Sequence, residues 1–322
     1  MLRALLSGLF GLALLAGAAV LYVYYEMQRA GPSMEPVTVI IERGTGVEGI
    51  GAILETAGVL RSRYWMMAAS VAPGDERPLQ AGEYEIPPGA SALAIARLLR
   101  DGKVVVHRLT VPEGMAVAEI MTLVGDTAAL TGSLPPAPPE GSLLPETYNF
   151  TRGENRSAMI DRMRQAMTEE LAAAWAARGD DLPFSTPEQA LVLASIIEKE
   201  TALDRERRHI AGVFVNRLRR GMRLQSDPTV IYGITRGSGR LGRELSRGDL
   251  TAPTEYNTYT ITGLPPGPIS SPGRDSLRAA VNPQKTDDLY FVADGTGGHA
   301  FASTLDDHNR NVKRWRDSQA RK

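Results

Sequence analysis

The chain has 322 residues and a formal net charge of −1, which gives length for about two domains and excludes the strong basic excess of a nucleic-acid-binding protein. Cysteine is absent, which excludes thiolate metal sites, a thiol nucleophile and disulfide bonds. We therefore expect no metal, no cofactor and no nucleic-acid partner.

The first 30 residues predict a transmembrane anchor. From Ala4 to Tyr25 the chain runs for 22 residues without a charge, enough to cross a bilayer, and it ends in a tyrosine cluster typical of the headgroup level. A cleaved signal peptide is the alternative, which the small residues of "LLAGAA" favour. The anchor is preferred because the apolar run continues beyond them to Val23.

The charges around this run predict its orientation. Arg3 lies before it, whereas Glu26 and Arg29 nearly cancel after it. The positive-inside rule then places the N-terminus in the cytoplasm and the remaining chain outside, carried by a single pass through the cytoplasmic (inner) membrane.

A strand-turn-helix pattern, with a glycine at the end of each turn, occurs three times, over residues 37–58, 82–102 and 107–125. The turn glycines are Gly44, Gly89 and Gly114. With the helical segment 61–70 between them, the first two copies resemble the LysM-type glycan-binding module. A generic α+β packing domain without glycan contact is the alternative. We predict a small α+β region over residues 36–130.

Residues 131–322 predict a mixed α/β domain, so the whole chain is of the α+β class with an N-terminal transmembrane helix. The segment 131–150 begins with a proline-rich stretch and is expected to be a loop that leads into this domain. A helix follows over 155–179, where an apolar stripe faces the core. The stripe consists of Met159, Ile160, Met163, Met167 and Leu171.

The next helix has a well-marked beginning. Thr186 is an N-cap, Pro187 stands at the first helical position, and Gln189 completes a capping box. From Ala190 to Ile197 every residue except Ser195 is apolar, so we expect this helix to be buried on most sides.

This helix runs to about Thr201, and Asp204 is the expected N-cap of another over 205–221. Beyond residue 222 the chain is rich in Gly, Pro, Thr and Tyr, which is typical of loops that join short strands. "SLRAAV" and the last residues from Leu305 onward are expected to be helical.

The sequence "SIIEKET" at the end of the buried helix contains two candidate acids. At about 100° per residue, Glu198 and Glu200 point in nearly opposite directions. Glu200 shares a face with Leu193, Ile196 and Ile197, where loss of hydration raises the pKa of a carboxyl and favours the protonated form that a general acid needs. The alternative is structural, since Glu200 could instead cap the next helix or pair with its arginines.

Motifs from Glu140 to Arg314 resemble the membrane-anchored endolytic murein transglycosylases, the MltG/YceG-like family. They include "EGSLLPETYNF", "LASIIEKETALDRERRHIAGVFVNRLRRGMRLQSDPTVIYG", "LSRGDLTAPTEYNTYTITGLPPGPISSPGRDSLRAAVNP" and "LYFVADGTGGHAF". In that family the second glutamate of "EKET" is the catalytic acid, which corresponds to Glu200. The resemblance also implies an N-terminal anchor and a LysM-like region before the catalytic domain.

The implied reaction cleaves the β-1,4 bond between N-acetylmuramic acid and N-acetylglucosamine and leaves a 1,6-anhydromuramoyl end. Because the 6-hydroxyl of the same sugar attacks C1, one carboxyl can act first as acid and then as base. The resemblance implies peptidoglycan strands as the substrate and peptidoglycan synthases as candidate partners, with cutting that ends strand elongation.

Other residues are candidates for substrate binding, each with a structural alternative. They are Gln225, Asp227, Tyr232, Tyr256, Asn257 and Tyr259. Amide, carboxylate and aromatic groups are typical of a glycan groove, whereas Asp227 with its proline also favours a turn, and the alternation of Tyr256 and Thr258 also favours a strand. His299 is interpreted as a loop histidine.

Two other functions remain open from the residues. A muramidase would use water, with Asp227 or Glu255 as the second carboxylate. A membrane-tethered glycan-binding or assembly factor would need no catalytic carboxyl.

Overall fold

The computed structural model describes residues 2–320, and the chain divides into two units that each have a hydrophobic core. Unit 1 comprises the chain up to His107 together with Asn149–Gly153, and unit 2 comprises Arg108–Tyr148 and the chain from Glu154 onward. Both units contain helices and strands, which confirms the mixed α/β architecture.

Unit 1 contains, in chain order, α1 (Leu2–Gln28), β1 (Val37–Ile41), α2 (Val47–Thr56), α3 (Arg63–Ser70), β2 (Gly82–Ile86) and α4 (Ala92–Arg100). β1 and β2 pair antiparallel, and every second residue faces the core. The buried strand residues are Val39, Ile41, Tyr84 and Ile86. The order β1–α2–α3–β2–α4 contains the first two predicted repeats, while the LysM-type resemblance stays a prediction.

The long helix α1 forms where the apolar run predicts it. Over Leu5–Gln28 it is long and apolar enough to cross a bilayer, and it is the one such helix among the residues that the structure describes. Its last turn belongs to the core of unit 1, because Met27 is only 7% exposed there and Val23 packs beside it. Its direction across a membrane stays a prediction.

The remaining elements begin at the passage from unit 1 to unit 2, which occurs within β3 (Val106–Thr110). They continue with α5 (Val117–Gly125), β4 (Thr147–Thr151), α6 (Arg156–Ala176), α7 (Pro187–Glu200), α8 (Asp204–Arg219), α9 (Asp227–Thr235), α10 (Arg247–Thr251), α11 (Arg274–Val281), β5 (Tyr290–Ala293), β6 (His299–Ala302) and α12 (Leu305–Gln319). β3 pairs with β4, and β5 with β6.

The turn glycines of the three predicted repeats all have positive φ, from 64° to 86°. This left-handed conformation is accessible to glycine without a steric penalty, which explains why glycine ends each turn. The third repeat consists of β3 and α5. Its strand β3 pairs with β4, whereas the strands of the first two repeats, β1 and β2, pair with each other. β4 lies in a segment whose proline-rich beginning predicted only a loop, but its "TYNFT" residues have high strand propensity.

Helix α7 is the centre of unit 2. Thr186 and Gln189 form the predicted capping box, Pro187 is the first helical residue, and every residue from Val192 to Ile197 is buried. Helices α6, α8, α9 and α11 pack against it. The prediction that α7 is buried on most sides is confirmed.

The predicted boundaries of neighbouring helices need one correction. Asp204 is the first residue of α8 and its carboxylate pairs with Arg207, whereas Leu203 occupies the N-cap position without a side-chain cap. In α6 the apolar stripe is buried as predicted, except that Leu171 is only partly buried. The predicted C-terminal helices are α11 and α12.

Candidate active site

Glu200 is the last residue of α7, and its carboxylate accepts a hydrogen bond of 2.5 Å from the Ser226 hydroxyl. Burial raises the pKa of this carboxyl above its usual range, and the negative charge of Asp227 raises it further. The Ser226 hydrogen bond and the charges of His299 and Arg217 act in the opposite direction without reversing the shift. The site therefore favours a protonated Glu200 that can still be stabilised when ionised.

Buried hydrogen bonds hold Ser226 in place. Its backbone nitrogen donates to Oγ1 of Thr258 at 2.9 Å, and its carbonyl accepts from the Thr229 hydroxyl at 2.6 Å. The two threonine hydroxyls are 2.8 Å apart, and all three residues are buried. The Ser226 hydroxyl is thus directed at Glu200 by backbone geometry, which makes it part of a preorganised site.

Gln225, which precedes Ser226, has a strained backbone with φ of 53°. A residue other than glycine rarely adopts this conformation, and it costs on the order of 1 kcal/mol. Two hydrogen bonds hold it, from the Gln225 nitrogen to the Thr258 carbonyl at 3.1 Å and from Arg217 to the Gln225 side-chain oxygen at 3.4 Å. Strain of this kind is concentrated at functional sites, and here it adjoins the residue that holds Glu200.

Arg217 is a buried cation that connects this turn to β5. Its guanidinium donates to the carbonyls of Leu224 at 2.7 Å and Leu289 at 2.6 Å, and it lies 5.3 Å from the centre of the Tyr290 ring. No carboxylate lies within ion-pair distance of it among residues 2–320. Burial lowers the pKa of Arg217, whereas the negative charge of Glu200 raises it. No local sequence pattern predicts this role for Arg217.

Asp227 and Tyr259 lie beside the Glu200 carboxyl and contact each other. The Tyr259 hydroxyl donates to Oδ1 of Asp227 at 2.6 Å, and burial together with this bond raises the pKa of the phenol. Asp227 is exposed and Tyr259 is partly buried. The structure therefore brings together Glu200, Gln225, Asp227 and Tyr259 from the predicted set.

Tyr232 and Tyr256 form a second aromatic group. Their ring centres are 4.9 Å apart, and the guanidinium of Arg236 lies 5.1 Å from the Tyr256 ring. The Tyr232 hydroxyl is hydrogen-bonded to the buried carboxyl of Glu140, whose pKa is raised by burial. Both tyrosines are partly buried and pack against the core of unit 2, so they combine structural contacts with an accessible edge.

Asn257 has a different position from its neighbours. It is 0% exposed, and its amide nitrogen donates to the carbonyls of Asp249, Leu250 and Ala252. Its side-chain oxygen accepts from the nitrogen of Tyr259 at 2.9 Å. The side chain organises the turn that carries Tyr259 and has no exposed atom for a glycan. Residues 256–260 form turns, so the strand alternative is wrong.

A cavity of about 660 Å³ lies in unit 2. It is lined by Glu113, Lys199, Pro228, Tyr232, Arg240 and Arg243, among others. Lys199 and Pro228, the chain neighbours of Glu200 and Asp227, line the cavity, whereas Glu200 and Asp227 themselves do not. Its walls combine charged groups with an aromatic edge, which suits a polar ligand with apolar faces.

The interpretation of His299 as a loop histidine is wrong, because it is the first residue of β6. Its Nδ1 lies 2.7 Å from the Glu206 carboxylate, which also accepts from the His299 backbone nitrogen at 3.3 Å. Phe291 packs edge-on against the imidazole at 5.4 Å. These contacts hold the ring near Glu200, 99 positions away in the chain, so no spacing rule could have predicted them.

Glu198 is also largely buried, with 6% of its side chain exposed, but its partners are structural. One carboxylate oxygen accepts from the nitrogen of Gly273 at 2.9 Å, and the other lies 3.6 Å from the Arg207 guanidinium. The adjacent Lys199 donates to the Gly114 carbonyl at 3.1 Å. No cluster of His, Asp or Glu in the described part of the chain could hold a metal ion.

Comparison with protein families matches residues 39–314 to the YceG-like family. The endolytic murein transglycosylase of Streptococcus pneumoniae strain D39 is 31% identical over 360 residues, covering 95% of this chain and 64% of the streptococcal protein. That of Bacillus subtilis is 30% identical over 324 residues, covering 90% of this chain and 88% of the other.

A solved structure provides a further comparison. The crystal structure of a yceG-like protein from Listeria monocytogenes superposes with a TM-score of 0.52 at 31% identity. The match covers 86% of this chain and 99% of the listerial chain. The solved structure and the family match thus carry the same yceG-like description, while the chain spans only 64% of the length of the streptococcal protein.

Proposed function

The chain belongs to the YceG-like family, and from this premise we propose that it is a membrane-anchored lytic transglycosylase that cuts within murein strands, with Glu200 as its catalytic residue. The bond cleaved is the β-1,4 linkage between N-acetylmuramic acid and N-acetylglucosamine. The products carry 1,6-anhydromuramoyl ends.

The environment of Glu200 is the observation that carries the proposal. The carboxyl is desolvated, so its acid form persists at a pH where an ordinary glutamate is ionised. The Ser226 hydroxyl at 2.5 Å stabilises the carboxylate that remains after the proton has left. A group that must alternate between acid and base needs both influences.

The reaction assigns both proton transfers to this one group. Glu200 protonates the glycosidic oxygen, and the bond from that oxygen to C1 of the muramoyl sugar breaks. The 6-hydroxyl of the same sugar then bonds to C1, and its proton passes to the Glu200 carboxylate. Glu200 is protonated again at the end, and no water is consumed.

The neighbouring residues are proposed to bind the sugar chain. Asp227, Tyr259 and the Gln225 amide would hydrogen-bond to hydroxyl or acetamido groups beside the scissile bond, and Tyr232 with Tyr256 would provide stacking faces. The cavity of about 660 Å³ that Tyr232 lines is large enough for a sugar unit. Asn257 is proposed to act through Tyr259, whose turn it organises.

The proposed location follows from α1 and the family. Residues 1–30 would anchor the chain in the cytoplasmic membrane with the N-terminus inside, and residues 131–322 would work outside, where new strands form. Residues 36–130 would include the LysM-like, glycan-contacting region, with segment 113–119 lining the cavity of unit 2. Peptidoglycan synthases are the proposed partners, and cutting new strands would end their elongation.

The decisive experiment digests purified glycan strands with the full chain in detergent and analyses the products by mass spectrometry. We expect ends that carry the mass of the anhydro sugar, with no water added. Glu200→Gln should lower the rate by about 10³-fold, because a positioned general acid and base contributes this much. Glu188→Gln, an exposed glutamate on the same helix, is the matched control and should change nothing.

The same experiment tests the hydrolase alternative. Asp227 is close enough for its charge to raise the Glu200 pKa, so it is the available second carboxylate, whereas Glu255 is exposed and pairs with Arg236 at 2.8 Å. Reducing ends with added water, lost in Asp227→Asn, would replace the lyase by a muramidase. Full activity in Glu200→Gln would overturn both mechanisms.

A further inference from the structure

Helix α3 in unit 1 has an apolar face that no part of the described chain covers. Tyr64 is 68% exposed, Met67 37% and Val71, the residue after the helix, 81%. Their spacing of three and four places them on one face. Met66 and Ala69, which are fully buried, lie on the opposite face and pack into the core of the unit. Apolar residues grouped in this way indicate an interaction surface.

The position of α3 relative to α1 indicates what covers this face. The Trp65 ring of α3 packs edge-on against Tyr22 of α1, with 6.2 Å between ring centres. A hydrocarbon core of ~30 Å accommodates roughly 20 helical residues, which carries α1 from Leu5 to about Tyr24. Tyr22 then lies at the outer boundary of the bilayer, and Trp65 lies beside it at the same depth.

The junction between α1 and the rest of unit 1 is fixed. Met27 is in the core of the unit, Arg61 donates to the carbonyl of Ala30 at 2.6 Å, and the nitrogen of Gly31 donates to the carbonyl of Gly89 at 3.1 Å. A Cβ on Gly31 would lie 2.6 Å from the Val59 carbonyl oxygen, so only glycine allows this close approach. Unit 1 is therefore held at the level where α1 leaves the membrane.

We propose that the Tyr64–Met67–Val71 face of α3 inserts into the lipid headgroup region beside α1, so that unit 1 docks on the membrane surface through a second contact. Tyr64 supplies an aromatic ring with a polar tip, and Met67 and Val71 supply apolar area, which is the composition of an interfacial helix. Arg61, exposed beside this helix, suits a surface of anionic lipids. The inference rests on the proposed anchor, because it takes α1 to span the bilayer.

The experiment uses the absence of cysteine from the chain. Single cysteines replace Met67 or Val71 in the full-length protein, and an environment-sensitive fluorophore is attached after reconstitution into vesicles of zwitterionic and anionic phospholipids. The control is Glu85→Cys, which lies in β2 on its exposed face. Lipids that carry a nitroxide near the headgroup should quench the probe at 67 and 71 several-fold more than at 85.

A third label separates the failure of this inference from the failure of the anchor. Leu14→Cys lies in the middle of α1 and is exposed on the helix surface, so lipids with a deep nitroxide should quench it. Quenching at 14 with none at 67 and 71 would overturn the lipid contact alone. No quenching at 14 would overturn the anchor and, with it, the basis of the inference. Quenching between labelled proteins, without lipid nitroxide, would assign the face to a second copy.

Discussion

Glu198 and Glu200 lie two residues apart at the end of α7, and the protein surrounds them in different ways. The Glu198 carboxylate meets the Arg207 guanidinium at 3.6 Å and the nitrogen of Gly273 at 2.9 Å. The Glu200 carboxylate meets one hydroxyl, that of Ser226, and the negative charge of Asp227 lies nearby. The first region places a cation and a backbone donor beside the carboxylate, whereas the second places a neutral hydroxyl and a further negative charge there.

This difference shows that burial alone does not determine how the fold treats a carboxyl group. Glu198 has a guanidinium and a backbone N–H as partners, whereas the hydrogen-bond donor to Glu200 is a neutral hydroxyl. Burial and the negative charge of Asp227 raise the pKa of Glu200 in spite of this hydrogen bond. The arrangement of charges around the end of α7 thus supports the proposal that Glu200, and not Glu198, is the catalytic glutamate.

Removing the cation from the first region should have the largest effect on stability. Arg207→Met leaves the carboxylate of Glu198 buried without its guanidinium, and loss of one partner of such a pair costs about 3 kcal/mol of unfolding free energy. Unfolding of the full chain in detergent at pH 7 measures it, with Arg205→Met, an exposed arginine on the same helix, as the control. A loss no larger than that of the control would show that Gly273 alone compensates Glu198.

Removing the donor from the second region should change activity and its pH dependence. Since Glu200 must be protonated to act as the acid, the rate is expected to fall as pH rises through its raised pKa. The Ser226 hydrogen bond lowers that pKa, so Ser226→Ala should move the falling limb to higher pH. The rate at its optimum should drop by about 10-fold, in line with one hydrogen bond to a charged group.

The measurement is the pH–rate profile of glycan cleavage, with Ser238→Ala as an exposed control. A falling limb that stays in place or moves to lower pH would contradict the assigned role of Ser226.

The stability of the fold should also reflect the direction in which the Glu200 pKa is shifted. Because the folded state binds this proton more tightly than the unfolded chain, stability falls as pH rises from the ordinary glutamate range through the raised pKa. Glu200→Gln should remove this dependence and unfold at an equal or higher temperature.

The helical part of the site could be predicted because its signals are local. The Thr186 cap, the apolar run and the rotation of about 100° per residue locate α7 and separate the faces of Glu198 and Glu200. Each of these depends on residues within one helix. The same holds for the turn glycines and for α1, whose length and composition are sufficient evidence of a helix.

The rest of the site could not be predicted because its contacts join distant parts of the chain. Ser226 is directed by Thr258, 32 positions later, and His299 is held by Glu206, 93 positions earlier. Asn257 is of a residue type that binds sugars, yet its amide nitrogen already donates hydrogen bonds to carbonyls between Asp249 and Ala252. Residue type alone does not reveal which polar groups the fold has already satisfied.

Neutralising Glu198 should have the smallest effect, and it tests the comparison directly. In Glu198→Gln the amide oxygen can still accept from the Gly273 nitrogen, so only the attraction to Arg207 is lost, and we expect a destabilisation of about 1 kcal/mol with activity per folded molecule retained. Combining it with Arg207→Met should recover part of the stability that Arg207→Met alone loses, because no uncompensated carboxylate then remains at position 198. A double-mutant cycle in unfolding free energy measures this coupling. Additive losses would mean that the ion pair does not account for the stability of Glu198, and an inactive Glu198→Gln beside an active Glu200→Gln would reverse the roles of the two glutamates.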